Sequence, residues 1–583
     1  MMGQSLIELS KEARADRLRI TFGNLLEGRR KVLLILDDVW ETIDLKDIGL
    51  SPLPNGFKLL LTSRNENICK QIAVEANSES TLVRVDVMEE PEACSFFWQI
   101  IGVSKQYDKD LKQIGSEIVR RCGFLPLAIK LIAKTLQFQE VFVWRDTFQR
   151  LKKKNLDENV QEVIKISYDY IKTEEEKVIF LLCGLFPDDF NIPIEELTRY
   201  AWGLQLLSEV STLGEARDRT KMCVQNLRNA NLLMDSDCIG CVKMHDLVLA
   251  FVINTVSKGH HPWIINHGDI SKWTRAEVKE SCNRISITCK GMSEFPGDSK
   301  YPNLSLLRLM DGDKSLKFPE GFYERMENLE VIAYEKMQYP LLPRSLECST
   351  KLRTLILHKC LLMFDCSVIG ELLNLEVLSF AHCGIRKLPS TIGKLKKLML
   401  LDLTGCINLR IDDGVLKDLV NLEELYMRVA DEKAIRFTNS NRAELAELSK
   451  HLFALEAEFF DNNNTPENML FTKLRRFRIA MGCGLVANTD KNMHSFENTL
   501  RLVTNKNELL ESGMNELFEK TEVLYLEVDG MNDLEEVVLE SVRLSQQTFN
   551  NLRVLNVFKC ENLRYLFTIS IASGLVKLER PYS

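Results

Sequence analysis

The sequence predicts a multidomain α/β chain: a parallel sheet, a helical segment and a long repeat solenoid. Three features predict it. Two apolar runs near the N-terminus end in charged residues, as the strands of a buried parallel sheet do. A stretch over residues 105–160 places its apolar residues at helical spacing. The C-terminal half repeats L-x-x-L-x-L every 23 to 25 residues.

The chain has 583 residues, enough for three to five domains at ~100–200 residues each. Hydrophobic residues make up 45%, which supports sizeable cores. The net charge of −8 argues against nucleic acid as the main partner, since phosphate binding asks for a basic face. No apolar run reaches the ~18 residues of a membrane span. Met1-Met2-Gly3-Gln4 leads into a charged amphipathic stretch, so no secretory signal is expected. The 16 cysteines are then read as reduced thiols. The one CxxC, Cys238-Ile239-Gly240-Cys241, has no second pair at zinc spacing and is read as a loop or strand pair.

Lys31-Val-Leu-Leu-Ile-Leu-Asp37-Asp38-Val39-Trp40 reads as a buried strand ending in two carboxylates. Ligands bind at the carboxyl ends of parallel strands. A carboxylate there can hold Mg²⁺, or Asp37 and Asp38 can simply cap the strand. Phe57 to Asn65 reads as a second strand, with Arg64 at its mouth. That guanidinium could reach a phosphate or pair with a neighbouring acid. Leu82 to Val87 alternates with period 2 and suits a third strand. Glu89-Glu90-Pro91-Glu92 opens a helix. Leu111, Ile114, Ile118 and Val119 mark one later helix face, and Ala128, Leu131, Ile132 and Leu136 another, with Gly123 separating them.

The repeat pattern runs Leu304-Leu307-Leu309, Leu329-Ile332-Tyr334, Leu352-Leu355-Leu357, Leu375-Leu378-Phe380, Leu398-Leu401-Leu403 and Leu422-Leu425-Met427. Weaker copies start at Leu452 and Leu474, and Leu552-Leu555-Val557 is clear again. Cys360, Cys383, Cys406 and Cys560 fill the small apolar position after the strand. Such leucine-rich repeats stack into a horseshoe with strands on the concave face. Arg308, Glu335, His358, Asp402, Glu424, Tyr426 and Arg428 are expected to point out of that face as partner-binding residues.

Six blocks carry a further resemblance: Leu33-Leu-Ile-Leu-Asp-Asp-Val-Trp40, Leu59-Leu-Leu-Thr-Ser-Arg-Asn65, Val85 to Gly102, Cys122-Gly-Phe-Leu-Pro-Leu-Ala-Ile129, Cys183-Gly-Leu-Phe-Pro-Asp-Asp189 and Met244-His245-Asp246. In order and spacing they resemble the NB-ARC domain of plant disease resistance proteins with leucine-rich repeats. The resemblance implies a P-loop-NTPase-type sheet in a partial nucleotide-binding domain at 1–104, a helical ARC1 domain at 105–158, a winged-helix ARC2 domain at 159–270 and leucine-rich repeats at 283–583. It implies ADP/ATP with Mg²⁺ as cofactor. Asp37 would be the metal ligand, Asp37 and Asp38 the catalytic carboxylates, and Arg64 the nucleotide sensor. Pro126 would lie near the adenine and His245 at the ADP β-phosphate. It further implies a cytoplasmic receptor, peripheral membrane attachment being left open. A pathogen effector or guarded host protein would meet the repeats, NB-ARC and repeats would touch within the chain, and activation would bring oligomerisation.

The sequence departs from the family in two places. Phe124 stands where a Gly usually precedes Leu-Pro-Leu. The phosphate-cradling G-x-x-x-x-G-K-S/T is absent, because the only Gly-Lys pair, Gly393-Lys394, lies within the repeats. The chain is therefore expected to begin partway through the nucleotide-binding domain and to bind nucleotide weakly or not at all. The family's slow switch ATPase is left open for it. The alternative is a nucleotide-independent regulator or decoy that works through its repeats. An ATP-dependent enzyme or DNA-binding regulator is the third reading, without a G-x-S-x-G or H-E-x-x-H to support it.

Overall fold

The computed structural model describes residues 11–25, 31–39, 41–51, 53, 55–63, 65–76, 80–102, 109–153, 156–258, 263–267, 281–295, 301–314, 316–338, 342–361, 366–429, 435, 437–459, 469–482, 497–504, 515–528, 549–558 and 575–582. They fall into two units, Met1–Val87 and Met88–Ser583.

In the first unit, helix α1 (Lys11–Leu25) precedes strands β1 (Val32–Leu36) and β2 (Phe57–Leu61) and helix α2 (Glu66–Glu75). The strands pair in parallel, Val32 opposite Phe57 through Leu36 opposite Leu61. Val32, Leu34, Leu36, Leu59 and Leu61 pack towards a core of Phe22, Phe57, Ile68 and Ile72. The opposite face is open, with Leu33 58% and Ile35 56% exposed. A strand buried on both faces was expected; the described residues cover one face. The alternating run from Leu82 to Val87 was expected to be a third strand and is not one. It joins no described ladder, and Leu82, Val83, Val85 and Val87 are exposed. Alternation sets which side chains share a face, but a strand also needs a neighbour in register.

The second unit begins with a helical bundle: α3 (Glu90–Ile101), α4 (Lys109–Arg121), α5 (Pro126–Leu136), α6 (Val141–Lys152) and α7 (Leu156–Asp169). Pro91 and two acids in the first turn start α3. Its Trp98 stacks on Trp144 of α6 with centroids 6.0 Å apart. Residues 90–101, assigned to the first domain from sequence, thus pack into this bundle.

A winged-helix segment follows: α8 (Glu174–Cys183), β3 (Ile192–Pro193), α9 (Ile194–Gly203), α10 (Leu213–Asn229), β4 (Met234–Asp235), β5 (Cys241–Lys243) and α11 (Asp246–Ser257). β3, β5 and β4 form an antiparallel wing in that order. Capping boxes Thr173/Glu176 and Thr212/Glu215 fix the starts of α8 and α10.

The repeats build one sheet, which among the described residues has 14 strands, all parallel. It starts at β6 (Trp263–Asn266), ahead of residue 283. It continues through β7 (Arg284–Thr288), β8 (Leu306–Met310), β9 (Val331–Glu335), β10 (Thr354–His358) and β11 (Val377–Ser379). Later strands include β13 (Leu400–Asp402), β15 (Glu424–Tyr426), β16 (Ala454–Phe459), β17 (Arg476–Met481), β18 (Thr499–Thr504) and β19 (Val523–Val528). The short β12 (Lys387–Leu388) and β14 (Arg410–Ile411) pair on their own. The consensus leucines fill a continuous interior. Asparagines before the strands tie each repeat to the last: the amides of Asn328, Asn374 and Asn421 donate to the carbonyls of Pro302, Thr350 and Lys396, each at 2.7 Å. The cysteines do the same inside, with the thiols of Cys383 and Cys406 donating to the carbonyls of Leu357 and Phe380 at 3.1 Å. Cys560 lies outside the described residues.

Candidate functional site

Two places gather the residues singled out in the sequence. The first is the carboxyl end of the β1–β2 pair. The Thr62 hydroxyl donates to an Asp37 carboxylate oxygen and accepts from the Asp38 N–H at 2.8 Å. The Ser63 hydroxyl donates to the Val39 carbonyl at 2.6 Å. Asp38 adopts φ +49°, which turns the chain sharply at the strand end. Asp37 is thus oriented and exposed, with a second carboxylate beside it. Mg²⁺ is commonly held by one or two carboxylates together with substrate phosphates, and this donor set fits that share. Phosphates also need backbone N–H groups on a glycine-rich turn and a lysine, which the sequence does not supply. Arg64 lies outside the described residues. Thr62 was not singled out from sequence, although a hydroxyl residue at the end of the neighbouring parallel strand was visible there.

In the second unit, Pro126 is the exposed first residue of α5. Phe124 just before it takes φ +56°, the left-handed conformation that glycine adopts freely. His245 is the N-cap of α11, its Nδ1 in contact with the Asp246 carboxylate. That carboxylate accepts the Leu247 N–H at 2.7 Å. Both residues sit at helix N-termini, the ends that favour a negative group.

The second place is the concave face of the repeats. Over β8 to β16 it is covered by the winged-helix segment of the same chain, chiefly by α9 and α10. Arg199 donates to Asp402 at 2.9 Å. Arg217 donates to both oxygens of Glu195, at 2.6 and 2.7 Å, and to both of Glu424, at 2.9 and 2.7 Å. Arg308 donates to Glu335 at 2.7 Å and to the Tyr200 hydroxyl at 3.2 Å, with its guanidinium 4.5 Å from the Phe186 ring centre. Trp202 Nε1 and Arg353 both donate to Glu376 at 2.7 Å. Apolar side chains of the strand faces, among them Leu306, Val331, Val377, Leu400 and Ala454, share one core with the winged helix.

Burial alone would raise the Glu195 carboxyl. Arg217, then Arg476 and Arg199, outweigh it and hold the group well below the usual carboxylate range. Glu424 is lowered in the same way, against its burial, by Arg217 and Arg476. Acids on both sides raise Arg217 well above its ordinary value despite its burial. The three groups therefore stay charged at neutral pH.

Of the seven concave residues expected to meet a partner, Arg308, Glu335, Asp402, Glu424 and Tyr426 are buried. His358 and Arg428 are half-buried. The cations that engage these acids, Arg199 and Arg217, escaped sequence reasoning. One sign was available: α9 carries Glu195, Arg199, Tyr200 and Trp202 in ten residues, with polar and apolar groups around its whole circumference, and it is buried on nearly every side.

Residues 3–106 match the NB-ARC domain family. Residues 490–580 match the family described as plant disease resistance protein RPS2-like, leucine-rich repeats. A probable disease resistance protein of Arabidopsis thaliana is 29% identical, the alignment covering 59% of this chain and 38% of that protein. Another disease resistance protein of the same plant is 28% identical, covering 72% of this chain and 43% of that protein. Among solved structures, a leucine-rich-repeat protein of Leptospira interrogans aligns with TM-score 0.31 and 15% identity, covering 55% of this chain and 89% of that one. The chain thus spans well under half the length of these two plant relatives.

Proposed function

We propose, from the premise that this chain is a relative of plant disease resistance proteins and joins an NB-ARC segment to leucine-rich repeats, that it is a cytoplasmic defence receptor held closed by its own winged helix. One observation carries the reading: α9 and α10 occupy the concave face, with Arg199 on Asp402 and Arg217 on Glu424. A pathogen effector or guarded host protein that uses Asp402 and Glu424 has to displace those arginines. Partner binding and closure are then mutually exclusive, which is what couples recognition to a change of state.

In this reading ADP and ATP set the resting and active states. Mg²⁺, when bound, would neutralise phosphate charge at Asp37 and Asp38. Thr62 keeps Asp37 aimed outward for that role. His245 would meet the ADP β-phosphate and Pro126 would lie near the adenine, as the resemblance implies. The second reading is a nucleotide-independent interaction protein that works through its repeats.

Two measurements test this. Arg217→Ala should raise hydrogen exchange across residues 194–203 and increase defence-linked cell death when the chain is expressed in leaves. Raised exchange with unchanged cell death would favour the second reading. Calorimetry with ADP and Mg²⁺ should show binding that Asp37→Ala or His245→Ala weakens. No binding to the folded chain would favour the second reading.

A further inference from the structure

We infer that Cys238 and Cys241 form a reversible dithiol/disulfide pair, oxidised by peroxide, at the root of the helix that fills the concave face. The pair lies in the wing, Cys238 in the turn after β4 and Cys241 at the start of β5, and the role proposed for the nucleotide does not involve it. Geometry carries the inference. The Cys241 N–H donates to the Cys238 carbonyl at 3.2 Å, closing a four-residue turn. Gly240, third in that turn, takes φ +77°, as its position demands. The ends of such a turn have Cα atoms within about 7 Å, and a disulfide spans about 4.4–6.8 Å. The backbone therefore already holds the two residues at bridging distance.

Access and the turn together single them out. Cys122, Cys183, Cys223, Cys282, Cys289, Cys360, Cys366, Cys383 and Cys406 are buried, Cys69 and Cys94 are partly exposed like Cys238 and Cys241, and Cys348 is exposed. Among the described residues, only Cys238 and Cys241 of these accessible thiols are joined by a turn. Burial, then the neighbouring Cys238, pushes the Cys241 thiol up to about 11. That makes Cys241 the poorer first nucleophile and suits it to the resolving role.

The chemistry balances with hydrogen peroxide as oxidant. Cys238 thiolate attacks one peroxide oxygen, the O–O bond breaks, and a sulfenic acid and a hydroxide form; the hydroxide is protonated to water. The Cys241 sulfur, losing its proton, then attacks the Cys238 sulfur. The S–S bond forms as the S–O bond breaks, and the oxygen leaves as water. Two thiols and one peroxide give one disulfide and two waters, with sulfur oxidised and peroxide reduced. A thiol such as glutathione reverses the step by exchange. The turn favours the second step, because it makes that attack intramolecular.

The turn is wired to the filled concave face. The Gly240 carbonyl accepts the N–H of Ile194, the first residue of α9, at 2.9 Å. Cys241 pairs with Pro193 in the wing. Gly240 also lines a cavity of about 260 Å³ together with Ile194, Glu195, Arg217, Lys221 and Arg476. A crosslink across the turn rigidifies the acceptor of the first helical N–H.

The test is peroxide treatment of the full chain, followed by non-reducing peptide mapping and hydrogen exchange. The expected product is one intramolecular Cys238–Cys241 disulfide, reversed by glutathione, with exposed Cys348 remaining open to alkylation. Exchange at 192–203 should slow on oxidation. In Cys241→Ser, Cys238 should stop at a sulfenic acid that dimedone traps. Oxidation of Cys348 with both wing thiols still free would overturn the proposal, and wild-type mapping alone can show that. A disulfide that leaves exchange at 192–203 unchanged would overturn the link to α9.

Discussion

Arg217 shows what a single side chain does here. Its planar fork meets two carboxylates, Glu195 from its own domain and Glu424 from the repeats, with hydrogen bonds to all four oxygens. Lysine could not reproduce that arrangement. Next to it, Glu423 faces the opposite balance. Burial, then the Glu424 carboxylate, pushes its carboxyl up to about 7. An acid whose folded value is raised binds its proton more tightly when folded. Its favourable contribution is therefore complete below the ordinary value of 4.5 and declines as pH rises to about 7. Glu423→Gln should accordingly raise the melting temperature at pH 8 and change it little at pH 4. An equal shift at both values would show that ionisation of Glu423 costs the fold nothing.

At the scale of elements, α9 approaches the repeats as closely as it does because its last residue has no side chain. A Cβ on Gly203 would lie 2.6 Å from both Thr354 Oγ1 and Val331 Cγ2. Neither β-branched neighbour moves freely inside a packed sheet. Gly203→Ala should cost about 1–3 kcal/mol of unfolding free energy, as overpacking does. Gly214→Ala is the control, since the nearest atom there is Thr212 Oγ1 at 3.8 Å. Denaturant titration of both variants decides it: equal midpoints would mean that α9 slides to make room. The repeat strands were legible in sequence because each leucine serves the interior of its own repeat. The run from Leu82 to Val87 carried the same kind of pattern and forms no strand, because pairing depends on a partner its own residues cannot specify.

The second unit joins its parts through a core that no one segment owns. Interior leucines such as Leu307 and Leu355 belong to the solenoid. Their outward neighbours Leu306, Ile356 and Val377 belong to the core of the winged helix. A solenoid alone gains and loses structure repeat by repeat, since each repeat touches only its neighbours. Here α9 and α10 bridge several repeats, from Thr354 to Glu424. Hydrogen exchange at intermediate guanidinium should therefore show residues 194–203 and strands β9 to β15 losing protection together. Loss of α9 well before those strands would show that the closed arrangement is a loose docking.

The sequence by itself determined the repeat register, the strand ending at Asp37 and Asp38, the helix starts at Pro91 and Asp246, and the order of blocks shared with NB-ARC proteins. These features rest on periodicity, capping and strand-end chemistry, which act within a few residues of chain. Tertiary structure alone decided that Asp402 and Glu424 face Arg199 and Arg217 rather than solvent, and that Thr62 holds Asp37. Those pairs are more than 200 residues apart in the first case and 25 in the second. A lone charge on a strand looks the same in sequence whether water or a distant arginine will meet it. Only the folded chain, by removing the water, makes the difference.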